Sequence, residues 1–350
     1  MSDLRPREAV LRMAAYHPPT DGREGKLRLD FNENTVGCSP AVIAALREYT
    51  RTTALPVYPE YGDARRELAT HFGVAEDELL LTNGTDEAIQ ILMNTFVDAG
   101  DDVLLLKPSY AMYRFYAELA GAAVREVEYL EPHLDFPAEA LTAAIRSDTK
   151  ALFLANPNNP TGSSTSLDVL RRILDRAPQA AVLIDEAYFE FCGLTALPLI
   201  GVYPNLFVCR TFSKAYGLAA MRVGCVFSQA GNIAWLRKAQ SPYSVNALAA
   251  VAAQAAIRDP DYVSSYVAQV VAARDQIIAG LAGLGLPTYP SQANFVLFRA
   301  GDRAVPLRDE LRRRGILVRD RGADIDGCVR VTCGTPEHAS RFLDEIKELW

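Results

Sequence analysis

Six short runs of uninterrupted apolar residues, at positions 79–81, 103–106, 151–154, 181–184, 206–209 and 223–227, recur through the middle of the chain with helical patterns between them. A strand with one face in water alternates apolar and polar residues. A run without polar interruption is buried on both faces, the usual condition of a strand in a parallel sheet covered by helices. Ile89, Leu92 and Phe96 fall at helical spacing after the first run, and Leu167, Leu170 and Leu174 after the third, as crossover helices require. The expected fold class is α/β, a mostly parallel sheet sandwiched by helices.

At 350 residues the chain is long enough for about two domains. The texture changes near residue 245, where an apolar helical run (245–257) and an Ala-rich helical stretch through 276–284 lead to shorter strand candidates at 294–298 and 329–332. This predicts a large domain over 46–245 and a smaller α+β domain over 246–350. Residues 1–45 are irregular and proline-bearing, and are expected to wrap against other parts of the molecule.

Composition narrows the function classes. Lys and Arg number 36 against 43 Asp and Glu, a net charge of −7 that repels a polyanion, so nucleic acid is not an expected partner. The six cysteines form no CxxC pair, and a core this large needs no staples, so reduced thiols in a cytoplasm are expected. No apolar stretch follows Met1 to Pro6 as a secretory signal would, and no run approaches the ~20 apolar residues that span a bilayer, so no membrane association is expected. His17, His71, His133 and His338 lie far apart in sequence and make no metal-ligand pair. No GxSxG, GxxxxGKS/T or complete dinucleotide fingerprint occurs.

Open parallel sheets bind ligands beyond the carboxyl ends of their strands. Here those ends are polar. Thr82-Asn83-Gly84-Thr85-Asp86 opens a helix, either as an ordinary capped turn or as an anion site. Lys107-Pro108-Ser109-Tyr110 brings an aromatic ring, and Asn156-Pro157-Asn158-Asn159-Pro160-Thr161-Gly162 is a stiff loop of amide donors. Asp185 emerges from a buried run, where an unpaired charge is costly, and so calls for a cationic partner. Thr211, Ser213, Lys214 and Arg222 crowd the next edge, where a lysine beside cations loses part of its preference for the proton and becomes a nucleophilic amine. One cofactor uses every group: a phosphate for the helix start, the hydroxyls and Arg222, an aldehyde for Lys214, a pyridinium nitrogen for Asp185, a phenolic oxygen for Asn159 and Tyr188, and a ring for Tyr110. That cofactor is pyridoxal phosphate.

On these residues, together with Arg330-Val331-Thr332-Cys333-Gly334-Thr335, the chain resembles the fold-type I pyridoxal-phosphate aminotransferases over nearly its whole length, and most closely their histidinol-phosphate aminotransferase branch. The resemblance implies the aspartate-aminotransferase-like fold, with residues 1–45 packing on the small domain and a partner subunit. It implies that Lys214 holds the cofactor aldehyde, Asp185 pairs with the ring nitrogen and Tyr110 stacks on the ring. Asn159 and Tyr188 would meet the phenolic oxygen, and Gly84, Thr85, Asp86, Thr211, Ser213 and Arg222 would hold the phosphate. A homodimer with shared active sites is implied, Tyr58 reaching the neighbour's phosphate. Arg330 matches the carboxylate-binding arginine, Arg319 a second anion site, Tyr16 a residue closing over substrate, and Asn34 belongs to the Asn32-Glu33-Asn34 element at the substrate pocket.

The expected reaction is ping-pong transamination of L-histidinol phosphate with 2-oxoglutarate in histidine biosynthesis, with Lys214, Asp185 and Tyr188 as its catalytic groups. Thr35-Val36-Gly37, Thr85 and Ala220 depart from the pattern common in the family, and they leave the amino donor open. The alternative donor is an aromatic amino acid, phenylalanine or tyrosine. A decarboxylase of O-phospho amino acids and a ligand-sensing regulator are further rivals.

Overall fold

The computed structural model describes residues 4–15, 21–52 and 55–350. Its strands in chain order are β1 (Leu27–Arg28), β2 (Leu79–Thr82), β3 (Asp102–Lys107), β4 (Ala123–Glu128), β5 (Thr149–Ala155), β6 (Ala181–Asp185), β7 (Leu206–Thr211), β8 (Gly224–Phe227), β9 (Phe295–Arg299), β10 (Ile316–Leu317), β11 (Arg319–Asp320) and β12 (Cys328–Thr332). Seven of them form one sheet in the order β2-β8-β7-β6-β5-β3-β4. All six apolar runs lie in it.

The runs are continuous because both faces are covered. Leu80, Val103, Leu105, Phe153, Leu183 and Phe207 pack with Ile89, Leu92, Tyr113 and Ile233 in one apolar cluster. Leu79, Leu81, Leu104, Leu152, Leu154, Val182 and Ile184 pack on the other face with Leu170, Ile173 and Leu174. Alternate residues of each strand thus enter opposite clusters, as the pleat dictates.

Two features differ from the expected pattern. β8 runs antiparallel to both β2 and β7. The connection from Thr211 to Gly224 holds only a short 3-10 turn, Ala219–Met221, so it lacks the crossover helix that a parallel return needs. β4 is an unanticipated edge strand of sequence AVREVE whose charges hide it from an apolar pattern. Arg125 Nη2 donates to Asp102 Oδ2 at 2.6 Å, and Thr149 Oγ1 donates to the same oxygen at 2.7 Å.

The C-terminal part builds a smaller antiparallel sheet, β11-β12-β9. The helical texture resolves into two helices, Ala247–Ile257 and Pro260–Gly283, separated where Pro260 starts the second and Asp259 accepts a hydrogen bond from Tyr262 N at 3.4 Å. The N-terminal stretch is laced onto this part. β1 pairs in parallel with β10, Leu29 N donates to Leu317 O at 2.9 Å, and Thr332 N donates to Leu29 O at 2.9 Å. Residues 30–37 are thereby carried over the carboxyl edge of the large sheet. No helix among the described residues is long and apolar enough to cross a membrane.

Gly217, at φ +70°, fixes the distance between the Lys214 turn and that N-terminal loop: a Cβ there would lie 2.7 Å from the Gly37 carbonyl. Gly217→Ala is expected to cost about 1–3 kcal/mol, from backbone strain and the lost close approach. Urea unfolding should show a lower midpoint at unchanged slope.

Candidate active site

The carboxyl ends of β2, β3, β5, β6 and β7 and the N-terminal loop enclose a cavity of about 740 Å³ whose wall includes Asp86, Tyr110, Asn159, Asp185, Tyr188, Lys214, Arg222, Arg319 and Arg330. Segments from both sheets therefore meet at one place.

Asp185 ends β6 and is 4% exposed. Tyr113 OH donates to its Oδ2 at 2.8 Å and Ala187 N donates to its Oδ1 at 3.0 Å. No cation pairs with it among the described residues, and burial raises its pKa above the ordinary carboxyl value. The cationic partner that the sequence calls for is thus not a side chain among the described residues.

Lys214 lies in the turn after β7, and its Nζ donates to Phe31 O at 3.0 Å. Burial first, and then the charge of Arg330, push its pKa down to about 8. At pH 7 about a tenth of the amine therefore carries its lone pair, against well under a thousandth at the ordinary lysine pKa.

Around this pair the remaining groups fall into two sets. In the first, Arg222 adopts a left-handed backbone, φ 53°, and its Nη2 reaches Asp86 Oδ2 at 3.2 Å, while Tyr110 OH donates to Asp86 Oδ1 at 2.8 Å. Thr211 Oγ1 donates to Ser213 Oγ at 2.9 Å. Gly84, at φ +75°, abuts this cradle, since a Cβ there would stand 2.6 Å from Arg222 Nη2. Thr85 lines the cavity at the start of the helix Gly84–Phe96.

The second set faces the small sheet. Arg330, 5% exposed, donates through Nη1 to Asn159 Oδ1 and through Nη2 to Asp30 O at 2.8 Å. Its Nε is buried without a hydrogen-bond partner, and burial followed by the charge of Arg321 pushes its pKa down to about 9. Arg319 stands opposite Arg330 in the β11–β12 ladder and lies over the Phe31 ring at 5.6 Å. Tyr188 OH accepts a hydrogen bond from Asn32 Nδ2 at 2.9 Å, and burial raises its pKa.

Of the remaining expected residues, one stands elsewhere, one was expected at the neighbouring subunit's site and one is not described. Asn34 is not on the cavity wall. Its Nδ2 donates to Ala215 O at 3.1 Å and its Oδ1 accepts from Val36 N and Gly37 N, so its amide shapes the loop, and Asn32 lines the cavity instead. Tyr58 is 72% exposed and stacks on Tyr243 with ring centroids 4.4 Å apart, outside this cavity. Tyr16 lies outside the described residues. Asn32, Tyr113 and Arg321 reach the site without having been singled out in the sequence. Tyr113 alone carries a local signal, since it follows Tyr110 by three residues on one helical face.

The residues fit pyridoxal phosphate. A pyridinium N–H would give the buried Asp185 its missing cationic donor, and the amine of Lys214 is suited to an aldehyde. The Gly84 cradle beside Arg222 leaves backbone N–H groups and hydroxyls for a phosphate.

Comparison with known proteins agrees with this geometry. The sequence profile of "Aminotransferase class I and II" matches residues 24–346. A histidinol-phosphate aminotransferase of Symbiobacterium thermophilum is 40% identical, covering 97% of this chain and 97% of its own. One of Roseiflexus castenholzii is 39% identical, covering 92% of this chain and 89% of its own. The structure of histidinol-phosphate aminotransferase from Sinorhizobium meliloti in complex with pyridoxal-5'-phosphate superposes with a TM-score of 0.89 at 27% identity, covering 99% of this chain and 98% of that one. A match of this extent, on a chain whose cavity joins Lys214, Asp185 and Arg222, means that the protein belongs to the class I and II aminotransferases.

Proposed function

We propose that the protein transfers the amino group of L-histidinol phosphate to 2-oxoglutarate, giving imidazole-acetol phosphate and glutamate, with pyridoxal phosphate as cofactor. The observation that carries the reading is the pair Arg319 and Arg330. Both line the cavity, and neither has a carboxylate partner among the described residues, although the chain as a whole is acidic. Two guanidiniums without acids are a receptor for anions on the substrate, and their planar forks bond carboxylate or phosphate bidentately. The names of the 40%- and 39%-identical relatives point to the same donor.

Pyridoxal phosphate, when bound, supplies an aldehyde for the amino group and a ring that accepts electrons. The protein's own groups do the rest. Asp185 would face the ring nitrogen and favour its protonated form, and Tyr113 and Ala187 N fix the orientation of its carboxylate. Lys214 Nζ, with its pKa lowered to about 8, would take a proton from the donor carbon and return it, across the intervening nitrogen, to the carbon of the cofactor's aldehyde group. Tyr188 OH already accepts from Asn32, so its own hydrogen remains free to donate to the phenolic oxygen, and its raised pKa keeps it protonated. Asp86 and Ser213 hold Arg222 at the phosphate cradle. Arg330, already bonded to Asn159 and Asp30 O, is pre-positioned for an anion.

The same reading divides the chain near residue 245, makes the active unit a homodimer to which exposed Tyr58 is offered by one copy to the other, and places the enzyme in the cytoplasm, where its six free cysteines stay reduced.

The test is a set of half-reactions. Purified, cofactor-loaded protein is mixed separately with histidinol phosphate, glutamate and phenylalanine, and the visible absorbance of the lysine-bound cofactor is followed. Fast loss with the first two and slow loss with phenylalanine is expected. Preference for phenylalanine would make the enzyme an aromatic aminotransferase.

The lysine gives a second prediction. Pyridoxal phosphate followed by borohydride should label cofactor-free protein at Lys214 with a rate that rises through about pH 8, and Lys214→Arg should abolish that label. Because the folded amine releases its proton more readily than the unfolded one, the unfolded chain binds more protons between about pH 8 and 10.5. This group's contribution to stability therefore rises with pH across that window.

A further inference from the structure

Beside Arg222, Arg319 and Arg330 the cavity wall carries a fourth guanidinium, Arg321, that neither the family match nor the sequence reading assigns. It stands two residues after Arg319 along one extended segment, the spacing that puts side chains on the same face of a strand. Its backbone N–H donates to Cys328 O at 2.8 Å, continuing the β11–β12 ladder, and its carbonyl accepts from Asp324 N at 2.9 Å and Ile325 N at 2.8 Å. The loop that bears it is internally bonded and pinned by buried Ile325, so Arg321 springs from a fixed base.

The acids on the wall are largely committed elsewhere. Glu33 is taken by Arg23 at 2.6 Å, Asp86 by Arg222 at 3.2 Å, and Asp320 faces Arg308 at 3.6 Å. Asp324 alone answers a guanidinium of the small-sheet set, meeting Arg321 Nη2 at 2.6 Å. Its side chain is the more exposed of the two, 36% against 14%, so it can return to water at small cost when an anion arrives. The charge of Arg321 already acts on Arg330 and on Tyr188, which places it toward the reacting groups.

We propose that Arg321, held by Asp324 in the substrate-free chain, selects a phosphate monoester over a carboxylate or an uncharged side chain on the amino donor. A carboxylate bears one charge and two oxygens and is satisfied by one fork. A phosphate monoester bears up to two charges and three free oxygens, and it takes two forks from Arg319 and Arg321 on one strand face. Asp324 competes for the Arg321 fork, so a ligand gains that fork only if its anion displaces the Asp324 carboxylate. This inference rests on the proposed histidinol-phosphate reading and adds to it the residue that reads the phosphate.

The experiment measures the second-order rate constant of the donor half-reaction for histidinol phosphate and for histidinol, and takes their ratio, in cofactor-loaded wild type, Arg321→Gln, Arg321→Lys and Asp324→Asn. Arg321→Gln is expected to lower the ratio about tenfold or more, and Arg321→Lys to lower it less, since charge survives without the fork. Asp324→Asn should raise the ratio or leave it, by freeing the guanidinium. Inhibition of the glutamate half-reaction by inorganic phosphate should weaken in Arg321→Gln. A ratio unchanged in both Arg321 variants, or lowered in Asp324→Asn, overturns the inference. If Arg321→Gln does not fold, the lysine variant decides. Wild type that favours phenylalanine over histidinol phosphate overturns the functional reading and this inference together, whereas wild type that favours histidinol phosphate and keeps its ratio in the Arg321 variants overturns the inference alone.

Discussion

A carboxylate at the end of a fully buried strand, with no cation to answer it among the described residues, is the constraint around which this molecule is arranged. Asp185 emerges from a strand buried along its whole length, and its described neighbours supply a phenol, a thiol and a backbone N–H but no cation. Left so, burial favours the protonated acid. A ligand that brings a cationic donor converts that penalty into a charge-assisted hydrogen bond. The folded chain therefore carries a standing demand for one chemical partner.

The rest of the site follows from what the sheet edge can hold. Because the inner strands of the large sheet are sandwiched between apolar clusters, polar groups gather where those strands end. The Lys214 turn lies in a connection that holds no crossover helix, so β8 returns antiparallel and the amine stays at the edge. The N-terminal loop, tied to β10 and β12 of the smaller sheet, closes over it and presents Phe31 O to Lys214 and Asn32 to Tyr188. Gly217 permits that approach. The groups that fit the cofactor thus come from the large sheet and the arginines proposed to hold anions mainly from the small one, with residues 30–37 joining them.

The apolar runs made the strands legible because burial on both faces erases alternation, and the polar residues after each run made the site legible because nothing else explains polarity there. What stayed hidden was set by distance and by register. Asn32 meets Tyr188 across 156 residues of sequence, a contact no local pattern encodes. Asn32 and Asn34 flank one glutamate, and only the folded loop, where Asn32 adopts φ 56°, decides which faces the cavity. β4 was masked by charges that are satisfied in ion pairs, Arg125 with Asp102 and Glu126 with Arg114, and no local pattern separates Arg321 from the chain's other arginines before its loop is placed at the cavity. Strand direction was equally invisible, since an apolar run reads the same whichever way it points.

The most direct measurement of the central claim is an equilibrium titration of cofactor-free protein with pyridoxal phosphate and with its analogue in which the ring nitrogen is replaced by carbon, in wild type and in Asp185→Asn. The account predicts that wild type binds pyridoxal phosphate at least about tenfold more tightly than the carbon analogue, the worth of one charge-assisted hydrogen bond in a buried site, and that the variant loses the difference. Equal affinity of the wild type for both compounds would contradict it.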